Sequence, residues 1–386
     1  MSEPNATKTV DDQTDDLALS SGAIRTASIP RWMPYVLLAA AAVVGIALSF
    51  LITGGFNVVL FLLFGFLIFL FAWTGVSWAK LGARKGRNIF WMTMIAGAFA
   101  LALLPLLSVV WTVLSNGVPG LLNPGFLASD MQGVIGRVDQ ETVQGEHGVL
   151  GGIKHALIGT LMITLLATLI SVPIGLLTSI YLVEYSNGGP FSRAITFFVD
   201  VMTGIPSIVA GLFAAAVIVP IVGIQAATAG FSAAIALAVL MIPVVVRSTE
   251  EMLRVVPNEL REASFALGVR KWRTILRVVI PTSISGIASG VTLAIARVTG
   301  ETAPILLTAG LAYSVNWNPF FEGRPNPMMT LPVYIYRQLI SPTAPGAPGP
   351  SLERAWGAAL VLIIIVMGLN GIARLVAWKF APKTGR

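Results

Sequence analysis

The sequence has no cysteine among its 386 residues and only two histidines, His147 and His155, both in or beside a polar segment. Disulfides and thiolate metal sites are thereby excluded, and no metal centre can be argued. Charge is scarce too: Asp, Glu, Lys and Arg together make up 11% of the chain, where soluble domains carry about a quarter. What fills the space is apolar, 55% of residues with a mean hydropathy of +0.82. Several apolar runs reach the roughly 20 residues a helix needs to cross a bilayer, and they lack the strict alternation of a membrane barrel. The expected fold is an all-α polytopic membrane bundle.

Eight spans are read from apolar length and from charged or turn-forming flanks: Met33–Thr53, Phe56–Trp78, Ile89–Leu114, Ala156–Val183, Ile195–Pro220, Phe231–Val246, Ser283–Ala312 and Trp356–Trp378. The seventh is long enough to be tilted or interrupted around Thr299–Pro304. The net charge of +7 is concentrated in alternate loops, as membrane orientation requires, so nucleic acid is not implicated. With a cytoplasmic N-terminus, the basic loop Lys80–Arg87, the loop 247–281 and the tail with Arg374, Lys379, Lys383 and Arg386 all fall inside. The C-terminus is then cytoplasmic as well. The long segments 115–155 and 313–355, rich in Gly, Pro and Asn, fall outside.

Residues 1–30 are polar, with Asp11, Asp12, Asp15 and Asp16, and are expected to be disordered; no small-residue cleavage site follows the first apolar run, so no removable signal peptide is expected. Residues 31–80 form an additional hairpin turned at Gly54, Gly55 and Asn57, free of charge within its spans and suited to lipid contact. Residues 89–386 form the main membrane domain.

Between spans 6 and 7 runs RSTEEMLRVVPNELREASFALGVRKWRTILRVVIP. Pro257 and Asn258 can start a helix, Gly268 can end it in a left-handed cap, and a second amphipathic helix can run from Lys271 toward Pro281. On charge alone this is equally a basic segment lying on anionic lipid. Its spacing is more specific. Glu262-Ala263-Ser264, three residues, Gly268, nine residues, then Val278-Val279-Ile280-Pro281 resembles the EAA signature of ABC importer permeases, with Ser264 and Ile280 as departures. The resemblance implies that a short helix carrying Glu262, Ala263 and Ser264, with its bend at Gly268, seats in a groove of a partner ATPase, the coupling pattern closing at Pro281. No Gly-x-x-x-x-Gly-Lys-Ser/Thr phosphate loop occurs, so the chain is expected to be non-catalytic, with ATP-Mg bound by that partner.

Three charged residues fall inside apolar spans and so merit a functional reading: Asp200, Arg297 and Glu301. Arg297 and Glu301 are four apart and can pair with each other; equally, a guanidinium fork matches two oxygens of a tetrahedral oxyanion. Gly204, Pro206, Gly300 and Pro304 can interrupt helices beside the hydroxyls of Thr203, Ser207, Thr299 and Thr302, although small residues also serve close helix packing. The segments from Asp200 to Leu212, from Ala296 to Pro304 and from Met328 to Tyr336 resemble those of the PstA family of phosphate-importer permeases. Together with the EAA loop, the resemblance extends from about Ile89 to the C-terminus.

The resemblance implies a six-span core to which the hairpin is added, inorganic phosphate as cargo, and a bacterial inner-membrane location. The partners it implies are a PstC-like sister permease, a PstB-like ATPase dimer and a PstS-like extracytoplasmic binding protein. The rival readings are a PstC-type sister, a permease for sulfate or molybdate, and a channel or transporter not coupled to ATP. An intramembrane protease is disfavoured because both histidines lie at or beyond the outer boundary.

Overall fold

The computed structural model describes residues 29–186 and 188–380. Most of the 1–30 tail and the basic residues Lys383 and Arg386 lie outside the described residues. The elements are helices α1 (Met33–Thr53), α2 (Val58–Leu81), α3 (Ala83–Leu122), α4 (Gly136–Gln144), α5 (Lys154–Tyr185, whose last five residues form a π turn), α6 (Pro190–Thr203), α7 (Ser207–Val222), α8 (Gly230–Val255), α9 (Asn258–Ala266), α10 (Lys271–Thr299), α11 (Ala303–Thr308), α12 (Leu331–Ile340) and α13 (Gly349–Phe380). Among the described residues no β-strand forms. Seven helices are long and apolar enough to cross a membrane, or eight if the bent pair α6–α7 counts as one span.

The chain divides into two compact units between Val109 and Val110, inside α3. In the first, α1 ends at Gly54 in a left-handed turn, and the Asn57 side chain caps α2 by accepting from the Val59 and Leu60 amides at 3.0 and 3.2 Å, worth about 1 kcal/mol. Ser49 ties the turn down, its Oγ accepting from the Asn57 amide at 2.7 Å. The sequence reading closes the hairpin at residue 80. The compact unit runs on to Val109 because the first half of α3 packs back on α2, with Gly97 so close to the Phe66 ring that a β-carbon there would overlap it.

In the second unit α8 is the central helix. Of its apolar window 67% is buried, against at most 33% in any other span, which marks it as the element wrapped by protein rather than lipid. It packs on α5 through small residues: Ser171 and Ser179 of α5 donate to the Ala238 and Val246 carbonyls at 3.4 and 2.9 Å, and Gly175 meets Val245. On another side Gly286 and Gly290 of α10, in small-xxx-small spacing, lie against Met252 and Ser248 of α8. These contacts leave no room for larger residues, and helix backbones approach closely where interhelical packing must replace a hydrophobic driving force.

Two spans depart from the sequence reading. The fifth, read as one helix from Ile195 to Pro220, is broken at Gly204–Pro206 and bent by 116°. Pro206 lacks an amide hydrogen and cannot continue a helix in register, and α6 is amphipathic rather than apolar throughout. The second amphipathic helix of the 247–281 loop is not separate: Lys271 opens the helix that continues to Thr299. Its Pro281 is tolerated because the preceding turn, Ile275–Val279, is a wider π turn that takes up the displaced backbone hydrogen bonding.

The segments between α3 and α5 and between α11 and α13 close one end of this unit. Arg354 of α13 forks onto Asp139 of α4 with bonds of 2.9 and 2.6 Å, and both side chains are fully buried. Its two terminal nitrogens also reach the Leu150 carbonyl and the Ser351 hydroxyl, while its Nε has no partner among the described residues. The Asp130 carboxylate accepts from the Gln132 and Val315 amides, joining the two segments again. A cavity of about 970 Å³ lies between them, with Arg337, Asn316 and Trp317 in its wall.

Candidate functional site

Two places carry the residues singled out from the sequence. At the first, α8 runs past the apolar region to Val255, and α9 follows after Pro257. Helix α9 ends in a Schellman cap: the Gly268 amide donates to the Phe265 carbonyl at 2.9 Å and the Val269 amide to the Ser264 carbonyl at 3.2 Å, with Gly268 at φ +72°. A left-handed residue at this position favours glycine.

What holds α9 is an arginine the sequence reading passes over. Arg261 donates to Glu184 at the end of α5 through Nε and Nη2, at 3.1 and 2.8 Å, and to the Val256 and Leu253 carbonyls at 2.6 and 2.9 Å. Both partners are largely buried, with side chains 13% and 6% exposed, so the pair works in a poorly screened setting. Glu184, a lone acid closing an apolar run, was the available signal. On the same side of α9 the Ser264 hydroxyl lies 2.8 Å from that of Thr274.

The structure therefore sorts the EAA residues. Glu262, Ala263 and Gly268 are exposed, together with Leu260, Phe265 and Leu267, and form an unpartnered face. Ser264 is buried and braces α9 against α10, so it is not available to a partner. Pro281 lies inside α10, seven residues beyond Thr274, or about 10 Å along the helix. The nine-residue gap before Val278 takes in the end of the turn after α9 and the first seven residues of α10.

The second place is where two broken helices meet. The first break, Gly204–Pro206, separates α6 from α7; the second, Gly300–Thr302, separates α10 from α11. Helices α7 and α11 pack together with Gly211 against the Pro304 backbone, where a β-carbon would lie 2.7 Å from its Cα. Arg297 sits in the last turn of α10, exposed, with no ion-pair partner among the described residues. It does not pair with Glu301. The helix stops at Thr299, so the four-residue spacing that brings such side chains together is not realised. Thr203 and Thr299 spend their hydroxyl protons on the Val199 and Ile295 carbonyls at 2.8 and 2.7 Å. Thr302 stands at the N-terminus of α11 without making a side-chain cap, and Ser207, half-buried, opens α7.

Asp200 is placed elsewhere than beside Arg297. It bonds Arg247, which also holds Glu250 at 2.8 Å, and Glu250 in turn accepts from Arg254 at 2.5 Å. Amphipathic α6 carries Asp200 to the polar last turns of α8, because the bend at Gly204–Pro206 turns α6 away from the line of α7. Asp200 is 59% exposed in this chain.

A bundle of apolar helices with an exposed, internally braced short helix at one end and broken helices at its centre defines a multi-pass transport permease. The model of the family described as binding-protein-dependent transport system inner membrane component matches residues 171–385. The phosphate transport system permease protein PstA 1 of Mycobacterium tuberculosis strain H37Rv is 43% identical over 293 residues, covering 76% of this chain and 88% of that protein. PstA of Pasteurella multocida is 36% identical over 292 residues, covering 76% and 95%. Among solved structures, a bacterial ABC transporter involved in the import of the acidic polysaccharide alginate aligns with a TM-score of 0.49 at 14% identity, over 75% of this chain and 96% of that one. The chain belongs to the family of binding-protein-dependent transport system inner membrane components, and is a multi-pass inner membrane protein.

Proposed function

We propose that this chain is the translocating permease subunit of an ATP-driven importer for inorganic phosphate. The observation that carries the coupling half of this reading is the unpartnered face of α9, with Glu262 exposed on a helix whose opposite side is fixed by Arg261 and Ser264. Such a helix can take a load without deforming. The phosphate half is supported by the relatives named for phosphate transport across nearly their whole length, and by an unpaired arginine at the junction of two broken helices.

In this reading Glu262 and Ala263 seat in a groove of a PstB-like ATPase, which binds ATP-Mg and hydrolyses it, while this chain is non-catalytic. A PstC-like permease covers the exposed side of the breaks and shares the pathway, and a PstS-like binding protein delivers phosphate to the end closed by the Asp139–Arg354 pair. Both termini are cytoplasmic in this reading, from the basic residues of alternate loops. The 31–80 hairpin is an addition to the six-helix core.

Closure of the ATPase pair displaces α9. The Arg261–Glu184 bond passes the displacement to α5 and the Ser264–Thr274 contact passes it to α10, which carries Arg297 at its far end. Arg297 holds phosphate through its fork of N–H donors, with Thr302 and Ser207 nearby in the interrupted segments; Glu301 repels a fully ionised anion and keeps the hold shallow, so that release is not stalled. Asp200 serves as a brace for Arg247.

The decisive experiment is labelled-phosphate uptake in a strain deleted for this gene, with and without the chain restored, paired with ATPase activity of the purified complex. Restored uptake and phosphate-dependent stimulation by the loaded binding protein are expected. Uptake of sulfate or molybdate restored in place of phosphate overturns the cargo.

A further inference from the structure

Among its described residues the first compact unit carries cations without acids. Between Leu17 and Ser129 the sequence contains no aspartate or glutamate, whereas Lys80, Arg84, Lys85 and Arg87 cluster where α2 gives way to α3. Among the described residues none of these four makes an ion pair; the Lys80 ammonium reaches only the Met33 sulfur. Membrane orientation alone explains a basic turn. It does not explain the space beside it.

A crevice of about 860 Å³ opens between the last turns of α2 and the first turns of α3. Its walls are aromatic, with Phe71 and Trp78 on one helix and Phe90 and Trp91 on the other. Arg84 and Arg87, three apart and so on one helix face, line it and are exposed. Thr74 also lines it; its residue is 8% exposed and its hydroxyl has no hydrogen-bond partner. An unpaired buried hydroxyl is disfavoured unless something else satisfies it.

We propose that this crevice binds one anionic phospholipid, with its phosphate gripped by Arg84 and Arg87 and an acyl chain laid along Phe71, Trp78, Phe90 and Trp91. Two guanidinium groups match a phosphate, indole rings suit the level at which headgroup meets hydrocarbon, and no acid among the described residues of the unit pairs with them. A free phosphate ion meets the cations but leaves the aromatic walls uncovered, so the occupant is a lipid.

The test uses the intact importer in mixed micelles with photoreactive phosphatidylglycerol or phosphatidylcholine, the labelled peptides being identified by mass spectrometry. In the wild type, phosphatidylglycerol labels the peptide spanning residues 71–91 in several-fold excess over phosphatidylcholine. Arg84→Gln with Arg87→Gln removes that excess, each arginine accounting for roughly fivefold, whereas Lys85→Gln, outside the crevice, changes it little. Equal labelling by both lipids in the wild type overturns the proposal without recourse to any variant. So does unchanged labelling in a well-assembled double variant. Displacement of phosphatidylglycerol by millimolar inorganic phosphate assigns the site to the free anion and overturns it also.

Discussion

Arg354 and Arg297 lie at opposite extremes of what a protein does with a guanidinium. Arg354 is fully buried, forked onto Asp139 and bonded to backbone and hydroxyl oxygens besides. Arg297 is exposed at a helix end beside a break, with an acid four residues on that it does not touch. A buried arginine with both terminal nitrogens bonded holds two segments together; one held open next to interrupted backbone is free to exchange partners. Arg261 belongs with the first kind, Glu262 next to it with the second.

The largest effect should come from breaking the buried pair. Arg354→Ala leaves the Asp139 carboxylate uncompensated, at a cost of about 3–5 kcal/mol, and the expected outcome is loss of folded chain from the membrane, measured by yield and thermal unfolding of the purified complex. Replacing both partners with apolar residues, Arg354→Met with Asp139→Leu, should recover most of that loss. If the single variant unfolds at the wild-type temperature, the pair is not what closes that end.

Arg297→Ala should show the converse: normal yield and assembly, with phosphate uptake reduced to that of the deletion strain. Wild-type uptake by a fully assembled variant would remove Arg297 from the pathway and leave the two arginines indistinguishable. Glu262→Ala should leave unfolding of the chain unchanged and weaken ATPase retention on affinity purification by about tenfold, the worth of one charge-assisted bond. Its neighbour sharpens the contrast, since Arg261→Ala should lower the unfolding temperature as well. Asp200→Asn should do least. Its bond to Arg247 is solvent-accessible and worth under about 1 kcal/mol, so uptake and stability close to wild type are expected, and a severe transport defect would restore Asp200 to the pathway.

The helical class, the first span to the residue and the interruption near Thr299–Pro304 were legible because apolar length, proline and glycine act locally. Helix α9 was legible for a similar reason: its start at Pro257 and its end at Gly268 are written in adjacent residues. What was hidden depends on distance along the chain. Asp139 and Arg354 are 215 positions apart, and Glu184 and Arg261 are 77 apart, with no periodicity that connects either pair. The interruption between α6 and α7 was legible in Gly204 and Pro206, but the size of its bend, 116°, was not. Averaging apolar content across Gly204–Pro206 concealed that one half is amphipathic and the other apolar throughout. That Ser264 faces Thr274 was hidden because a motif records which residues recur together and not which way each one faces.

The continuity of α10 from Lys271 to Thr299 has a mechanical meaning. Those 29 residues form a rod about 43 Å long, touching α9 at one end and stopping at the second break at the other. The close seating of Gly286 and Gly290 on α8 supplies a fulcrum about 25 Å from the Lys271 end and about 16 Å from Thr299. Tilting the rod by about 10° about that point moves its α9 end by roughly 4 Å and its tip by roughly 3 Å in the opposite sense, so motion at α9 reaches Arg297 reversed and reduced to about two-thirds.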